Sequence, residues 1–287
     1  MLFTRPDGTV CEGLDVERRI MPFIMKTRTE SVVYFEQFID LTQTLPFIER
    51  FNASHPGKKI GFFHVFLWAA VQALHQRPRM NRFVMGSKLW ARKGIHISYS
   101  AKKKLDDDSP TFVVKRKFEP SLGFEQMIDF IYADLKEGRG DKERDTEKEM
   151  RLFLKLPAPV LRFAVKMLFW LDSWNMLPAG FIMPDPLYCS LFIANLGSVK
   201  LDSAYHHLFE YGTCGLFAVI GRVQELVRPG GTYKGVSVKY TFDERCEDGL
   251  YAMGALAILK DLCEDPSKGL EVAAAAAAPA ITAGAPA

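Results

Sequence analysis

Residues 241–251, which read TFDERCEDGLY, carry five charged side chains between two apolar segments. The residues just before them, VSVKYTF, have the β-branched and aromatic composition of a strand, and apolar side chains recur at helical spacing after them. A loop of this kind is either a solvated turn or a site of chemistry. Cys246 lies within it and is interpreted either as an acyl-accepting nucleophile or as a buried thiol.

Two adjacent histidines outside this loop also have the chemistry of a base near neutral pH. His206 and His207 occur in SAYHHLFEYGTCG, and an imidazole can accept a proton at pH 7. Aromatic packing with Tyr205 and Tyr211 is the alternative role. No His pair or carboxylate cluster has the spacing of a metal site, and no glycine-rich loop indicates backbone binding of phosphate.

The composition is that of a soluble globular protein. The chain has 287 residues, of which 48% are hydrophobic, and its 37 basic and 34 acidic residues give a net charge of +3. This charge is too small to indicate a nucleic-acid partner. The five cysteines are scattered without a C-x-x-C pair, which disfavours disulfides and structural zinc and predicts a reducing, cytoplasmic compartment.

One stretch, residues 156–177, has the apolar character of a membrane segment. Arg162, Lys166 and Asp172 interrupt it, and its apolar runs are shorter than the ~20 residues that a span needs. The pattern predicts an amphipathic helix that packs in the core or at an interface. Peripheral membrane contact through this helix is the alternative.

The remaining pattern mixes strands and helices without strict alternation, which predicts an α+β sandwich. Predicted strands are 30–42, 94–100, 111–118, 189–197, 214–223 and 236–242. In the strand 94–100 we expect one buried face with Ile97 and an exposed polar face with His96. Predicted helices are 64–78, a helix capped by Ser121 and closed by Gly138, and 249–263; an Ala/Pro-rich disordered tail covers 266–287.

Several of these segments, taken in order, resemble one family. FFHVFLWAAVQALHQRPRMNRF, the strand FIANLG and the loop DERCEDG resemble a helix, an ISNLG strand and a DHR-x-x-DG loop of the dihydrolipoyl acyltransferase catalytic domain and of chloramphenicol acetyltransferases. Residues 18–42 also resemble the family's first helix and strand. The resemblance covers 15–265 except a helical insertion at about 140–186, and residues 1–265 are expected to form one domain.

This resemblance implies a two-layer sandwich of the CoA-dependent acyltransferase type. It also implies a homotrimer with active sites at subunit interfaces, reached by channels for CoA or acyl-CoA and for a second substrate. We expect no permanently bound cofactor. The insertion is a candidate for blocking one of these channels.

The resemblance also assigns roles to individual residues. Glu244 stands where the family has its catalytic His, and Ala194 stands where it has the Ser that stabilises the oxyanion. The loop residues Asp248 and Gly249 are retained. In the family this Asp holds the loop through an N-terminal arginine, for which Arg18 or Arg19 is available here.

Two further residues of the strand 189–197 are candidates for contact with CoA. Asn195 follows the oxyanion position, and Ser190 lies on the same strand face as Ala194 but about 13 Å away. With both catalytic positions changed, the favoured interpretation is a non-catalytic or weakly active protein that binds acyl-CoA or an acyl carrier. The alternative is an active acyltransferase that uses Glu244 as acid or base on a non-lipoyl acceptor.

Overall fold

The computed structural model describes residues 4–103, 108–140 and 152–270. Its strands are β1 Gly8–Val10, β2 Val32–Asp40, β3 Arg82–Met85, β4 Lys88–Arg92, β5 Ile95–Lys102, β6 Thr111–Phe118, β7 Leu191–Asn195, β8 Leu216–Arg228 and β9 Gly231–Asp243. Its α-helices are α1 Val16–Ile24, α2 Thr44–Ser54, α3 Phe62–Gln76, α4 Phe124–Arg139, α5 Ala158–Ser173, α6 Ala179–Ile182 and α7 Gly249–Glu264. Short 3₁₀ turns occupy Pro78–Asn81 and Leu196–Val199.

Two sheets are present in the described structure. The larger has six strands in the order β2-β9-β8-β7-β5-β6, and the smaller has the order β1-β4-β3. In the larger sheet β7 runs parallel to β5 and to β8, and the other pairs are antiparallel. The long hairpin β8–β9 carries the 241–251 segment at its far end. The predicted α+β sandwich is confirmed.

The main core lies between the helices and one face of the larger sheet. Helix α3 is apolar around nearly its whole circumference because it packs against both the sheet and its neighbouring helices. Phe66 and Leu67 are fully buried, and burial of such side chains stabilises the fold by roughly 1.5–3 kcal/mol each. This packing fixes the start of α3 against the ends of β5 and β7.

The other face of the larger sheet is covered at β5 and β6, and this corrects the expectation of an exposed face on β5. His96 and Ser98 are buried. The Ser98 hydroxyl donates to the carbonyl oxygen of Pro186 at 2.7 Å, and Lys115 donates to the carbonyl oxygens of Ile182 and Asp185 at 3.0 Å. The end of the insertion therefore lies over β5 and β6, so a polar side chain there is buried.

The insertion is held to the rest of the chain by a buried ion pair. Arg5 Nη1 donates to Asp172 Oδ1 at 2.5 Å, and the Tyr188 hydroxyl donates to Asp172 Oδ2 at 2.8 Å. Most of helix α5 is nevertheless exposed, so its predicted packing in the core is wrong, whereas packing at an interface stays a prediction. No helix in the described ranges is long and apolar enough to cross a membrane.

Two predicted boundaries differ from the structure. Helix α4 begins after Gly123 without a side-chain cap, so Ser121 is not the capping residue, and the helix continues through Arg139. Residues 266–270 are helical, and Leu270 packs against the main core. These five residues belong to the domain rather than to the predicted tail; residues 271–287 of that tail lie outside the described residues.

Candidate functional site

The loop of residues 243–249, hereafter the 243–249 loop, is built on a buried ion pair at the end of β9. Arg245 donates from Nε to Asp243 Oδ1 at 2.8 Å and from Nη2 to Asp243 Oδ2 at 2.6 Å. The third guanidinium nitrogen, Nη1, donates to the carbonyl oxygen of Met25 at 3.0 Å. A planar guanidinium matches a carboxylate in this two-bond geometry. Arg245 is thus committed to Asp243 rather than to Glu244.

Glu247 is the second buried carboxylate of the loop. Only 3% of it is exposed, and one oxygen lies 3.0 Å from Arg79 Nε and 3.1 Å from Arg82 Nη1. Arg18 Nη2 lies 3.9 Å from the other oxygen. A carboxylate this buried needs such partners, because removal from water disfavours its charge. Local sequence alone does not distinguish Glu247 from the other acidic residues of the loop.

The predicted N-terminal arginine is Arg18, but its target differs from the expected one. Its Nη1 donates to the backbone carbonyl of Glu244 at 2.6 Å. Asp248 is exposed and instead caps α7, accepting from the backbone N–H of Tyr251 at 2.8 Å. That hydrogen bond lowers the pKa of Asp248. Arg18 therefore holds the loop through Glu244 and Glu247, and Asp248 fixes the first turn of the helix.

Glu244 is fixed by its backbone alone. Its N–H donates to the carbonyl oxygen of Ser31 at 3.0 Å, while its half-buried carboxylate has no hydrogen-bond or ion-pair partner within the described residues. The carboxylate of Glu244 is therefore not paired with Arg245, which binds Asp243 instead. Cys246 is buried against Val84 and Leu89, and burial raises the pKa of its thiol well above the ordinary value. This environment disfavours a thiolate nucleophile.

Ala194 and Glu244 are far apart within one chain. Ala194 pairs with Val219 of β8, and Val219 pairs with Lys239 of β9. Glu244 follows Lys239 by five residues, which puts the two positions roughly 19 Å apart at ~3.3 Å per residue and ~4.8 Å per strand. The two side chains cannot act on the same bond in one copy of the chain.

His206 and His207 lie over the second face of the sheet. The His206 ring stacks on Phe217 at 4.0 Å and on His207 at 4.8 Å, and its Nδ1 donates to the carbonyl oxygen of His207 at 2.7 Å. Burial lowers the pKa of His206. The rings of His206 and His207 do pack against an aromatic side chain, but it is Phe209 rather than the predicted Tyr205 and Tyr211. His206 is a neutral, oriented imidazole at pH 7.

A cleft opens at the carboxyl ends of β5 and β7, and we name it the β7 cleft. Its volume is about 430 Å³, within the range of small-molecule sites. Its walls are Gly61–His64 at the start of α3, Tyr99–Lys102, Leu135 and Arg139 of α4, Asn195, Gly197 and Ser198 after β7, and Ile220, Gly221 and Val223 of β8. No residue from 152 to 186 lines the cleft, so this described part of the insertion does not block it within the chain.

The β7 cleft contains one unsatisfied buried donor. His64 Nδ1 accepts from the backbone N–H of Gly61 at 3.1 Å, so the neutral ring carries its proton on Nε2. That atom is buried and has no partner among the described residues. Burial lowers the pKa of His64 to about 4. Buried polar atoms are rarely left unpaired.

The structure places the residues predicted to contact CoA in three different environments. Asn195 lines the β7 cleft. Ser190 is buried, and its hydroxyl accepts from the backbone N–H of His96 at 2.9 Å, so it holds β7 to β5 and has no contact with the cleft. Gly249 is the exposed first residue of α7. Within the described ranges, no group of three His, Cys, Asp or Glu side chains has the arrangement of a metal site.

Comparison with solved structures identifies the fold. A probable dihydrolipoamide acetyltransferase from Listeria monocytogenes is 14% identical, with a TM-score of 0.57 over 89% of this chain and 94% of its own. A catalytic core of the 2-oxoacid dehydrogenase complex from Thermoplasma acidophilum is 16% identical, with a TM-score of 0.55 over 90% and 99% of the two chains. A chloramphenicol acetyltransferase is 11% identical, with a TM-score of 0.56 over 89% and 99%.

The chain therefore has the chloramphenicol acetyltransferase-like fold. No family model matches the sequence, and no curated protein matches it significantly. Identities of 11–16% show the fold alone. The chemistry of this chain has to be argued from its own residues.

Proposed function

We propose that the chain is a divergent member of the acyltransferase family that binds acyl-CoA, or an acyl group on a similar carrier, with little or no acyl transfer. One contrast carries this proposal: the β7 cleft is open, whereas Ala194 and Glu244 stand where the family has its oxyanion Ser and its catalytic His. The cleft holds about 430 Å³. Ala194 offers no donor to an oxyanion, and loss of one such donor typically costs ~10²–10³ in rate.

The chemistry of the cleft suits an elongated ligand with an apolar arm and an anionic end. Phe62, Phe63 and Tyr99 supply apolar surface, and Arg139 brings positive charge to the rim. The start of α3 adds the positive end of a helix dipole. A pantetheine arm with phosphates at one end has this pattern of groups.

A homotrimer is part of the proposal. Ala194 and Glu244 are roughly 19 Å apart in one chain, so a site that uses both positions needs two copies. Solved structures of similar fold include the cubic core of a pyruvate dehydrogenase complex, a multimeric assembly. Analytical ultracentrifugation measures the assembly directly, and a monomer at micromolar concentration would contradict this part of the proposal.

Isothermal titration with CoA and acetyl-CoA tests the binding proposal. The expected result is saturable binding that Arg139→Glu weakens about tenfold, since reversing a rim charge replaces attraction of an anion by repulsion. Lys136→Glu is the matched control, because Lys136 also lies in the last turn of α4 but does not line the cleft. Absence of saturable binding by the wild type would overturn the proposal.

The second candidate is an active acyltransferase in which Glu244 is the acid or base. It is favoured by one observation, namely the half-buried carboxylate with no partner among the described residues. It predicts release of free CoA from acyl-CoA in the presence of a hydroxyl or amine acceptor. Glu244→Gln should abolish that release, and His206→Gln should leave it unchanged. No release above background across a panel of acceptors would support the binding protein instead.

A further inference from the structure

Helix α5 carries an exposed row of large apolar side chains, which we name the α5 stripe. It consists of Val160, Phe163, Met167, Trp170 and Trp174, and each of these residues is at least 38% exposed. Their spacing of three and four residues puts them on one side of the helix. Contiguous apolar surface of this kind usually marks an interaction site.

The stripe faces away from the rest of the chain because the opposite side of α5 is anchored. Leu168 and Leu171 pack against a buried cluster that includes Ile182 and Tyr188. The buried pair of Arg5 with Asp172 fixes the rotation of the helix. Rotation of the stripe onto the body would break this pair, and leaving either charge buried alone is strongly unfavourable.

In the segment that carries the stripe, residues 152–183, the exposed charges all have one sign. Within residues 152–183 the exposed charged side chains are Lys155, Arg162 and Lys166. The acidic residue of this range, Asp172, is buried and neutralised by Arg5. The exposed surface of this segment therefore combines apolar and aromatic groups with a charge of +3.

From this combination we infer that α5 lies on the surface of a lipid bilayer rich in anionic lipids. Trp and Phe on one side and Lys or Arg beside them are the composition of helices that lie in the membrane interface. Three exposed cations and no exposed acidic side chain in residues 152–183 complement an anionic lipid surface. The helix has 16 residues, about 24 Å at 1.5 Å per residue, and is suited to lie in the plane of the bilayer.

The tryptophans provide a direct reporter. The chain has four; Trp68 and Trp90 are 1% and 2% exposed, whereas Trp170 and Trp174 are 52% and 55% exposed. We expect the emission of the exposed pair to shift to the blue, and its quenching by acrylamide to fall, when vesicles with about one-third phosphatidylglycerol are added. Unchanged emission and quenching at saturating lipid would overturn the inference.

Two double variants leave Trp170 and Trp174 in place and separate the apolar from the electrostatic contribution to vesicle binding. Phe163→Ser/Met167→Ser should weaken binding to these vesicles at least about tenfold, while Val227→Ser, at an exposed apolar residue of the β8–β9 hairpin, should leave it unchanged. Arg162→Gln/Lys166→Gln should weaken it roughly thirtyfold, with little effect on pure phosphatidylcholine vesicles.

The same variants distinguish a bilayer from another copy of the chain. If Phe163→Ser/Met167→Ser changes the sedimentation coefficient of the protein and leaves vesicle binding intact, the stripe is an interface between copies and the inference is wrong. Vesicle binding that is lost with an unchanged sedimentation coefficient supports it. Far-UV circular dichroism confirms that each variant is folded. CoA titration without lipid is a separate measurement, so this inference and the proposed function can fail independently.

Discussion

The buried polar groups of the 243–249 loop are paired, whereas one buried polar group in the wall of the β7 cleft is not. In the loop, Asp243 and Glu247 are buried and each is paired with arginine at 2.6–3.1 Å. In the wall of the cleft, His64 Nε2 is buried without a partner in the described structure. A satisfied buried network makes a segment rigid, whereas an unpaired buried donor costs stability. The loop network is therefore expected to stabilise the fold, and the donor of His64 is expected to weaken it.

The largest effect is expected from the buried carboxylate of the loop. Glu247→Gln removes the charge that Arg79 and Arg82 share. Because Arg79 is about half exposed, the expected cost is about 2–3 kcal/mol of unfolding free energy. Urea denaturation measures the loss. The control is Asp202→Asn, since the Asp202–Arg222 pair is exposed and should contribute about 0–1 kcal/mol. Equal losses in both variants would mean that the loop network does not stabilise the fold.

The second-largest effect is expected in the pH dependence of the unfolding free energy, through His64 in the wall of the cleft. The pKa of His64 is about 4 in the folded chain and ~6.5 when unfolded. Between these values the unfolded chain binds more protons, so the stabilisation is complete above about pH 6.5 and is lost as the pH falls toward 4. The loss between pH 7.5 and pH 5 should be about 2 kcal/mol.

Two variants separate the contribution of His64 to this pH dependence from the contributions of the other titrating groups. His64→Phe should reduce the decline in stability between pH 7.5 and pH 5 by about 2 kcal/mol, as measured by urea denaturation at both pH values. His75→Phe, at an exposed position of the same helix, should leave the decline unchanged. An identical decline in the wild type and in His64→Phe would contradict the assignment of a buried neutral imidazole.

The sequence predicted the fold better than it predicted these environments. Strands and helices follow from local periodicity, and the order of motifs was sufficient for the architecture. The burial of His96 was missed because it depends on residues 182–186, nearly ninety positions away, which local alternation does not register. The role of Glu247 was missed for the same reason: Arg79 and Arg82 approach it only after β3 is placed beside the loop. Asn195 lines the β7 cleft because it is the last residue of β7, where the cleft opens, and its contact with CoA stays a prediction.

A smaller effect is expected when the cleft is filled. Ser198→Trp introduces a large side chain at the wall of the β7 cleft and should weaken CoA binding at least about tenfold, because the ligand loses contact area there. Val199→Trp is the matched control: Val199 is exposed and does not line the cleft. Titration calorimetry measures both variants. Equal affinity in the wild type and in Ser198→Trp would show that CoA, if bound, occupies another site.

The smallest effect is expected at Glu244, although it stands at the position of greatest chemical interest. Its carboxylate has no partner within the described residues, and its place in the loop is fixed by its backbone, through Ser31 and Arg18. Glu244→Ala should therefore change the unfolding free energy by no more than about 0.5 kcal/mol, as measured by urea denaturation beside Glu247→Gln. A loss near that of Glu247→Gln would mean that the carboxylate is part of the charge network. A small loss, together with unchanged CoA affinity, would show that Glu244 is an unpaired carboxylate on a stable loop. A residue that exchanges protons with a bound molecule needs these two properties.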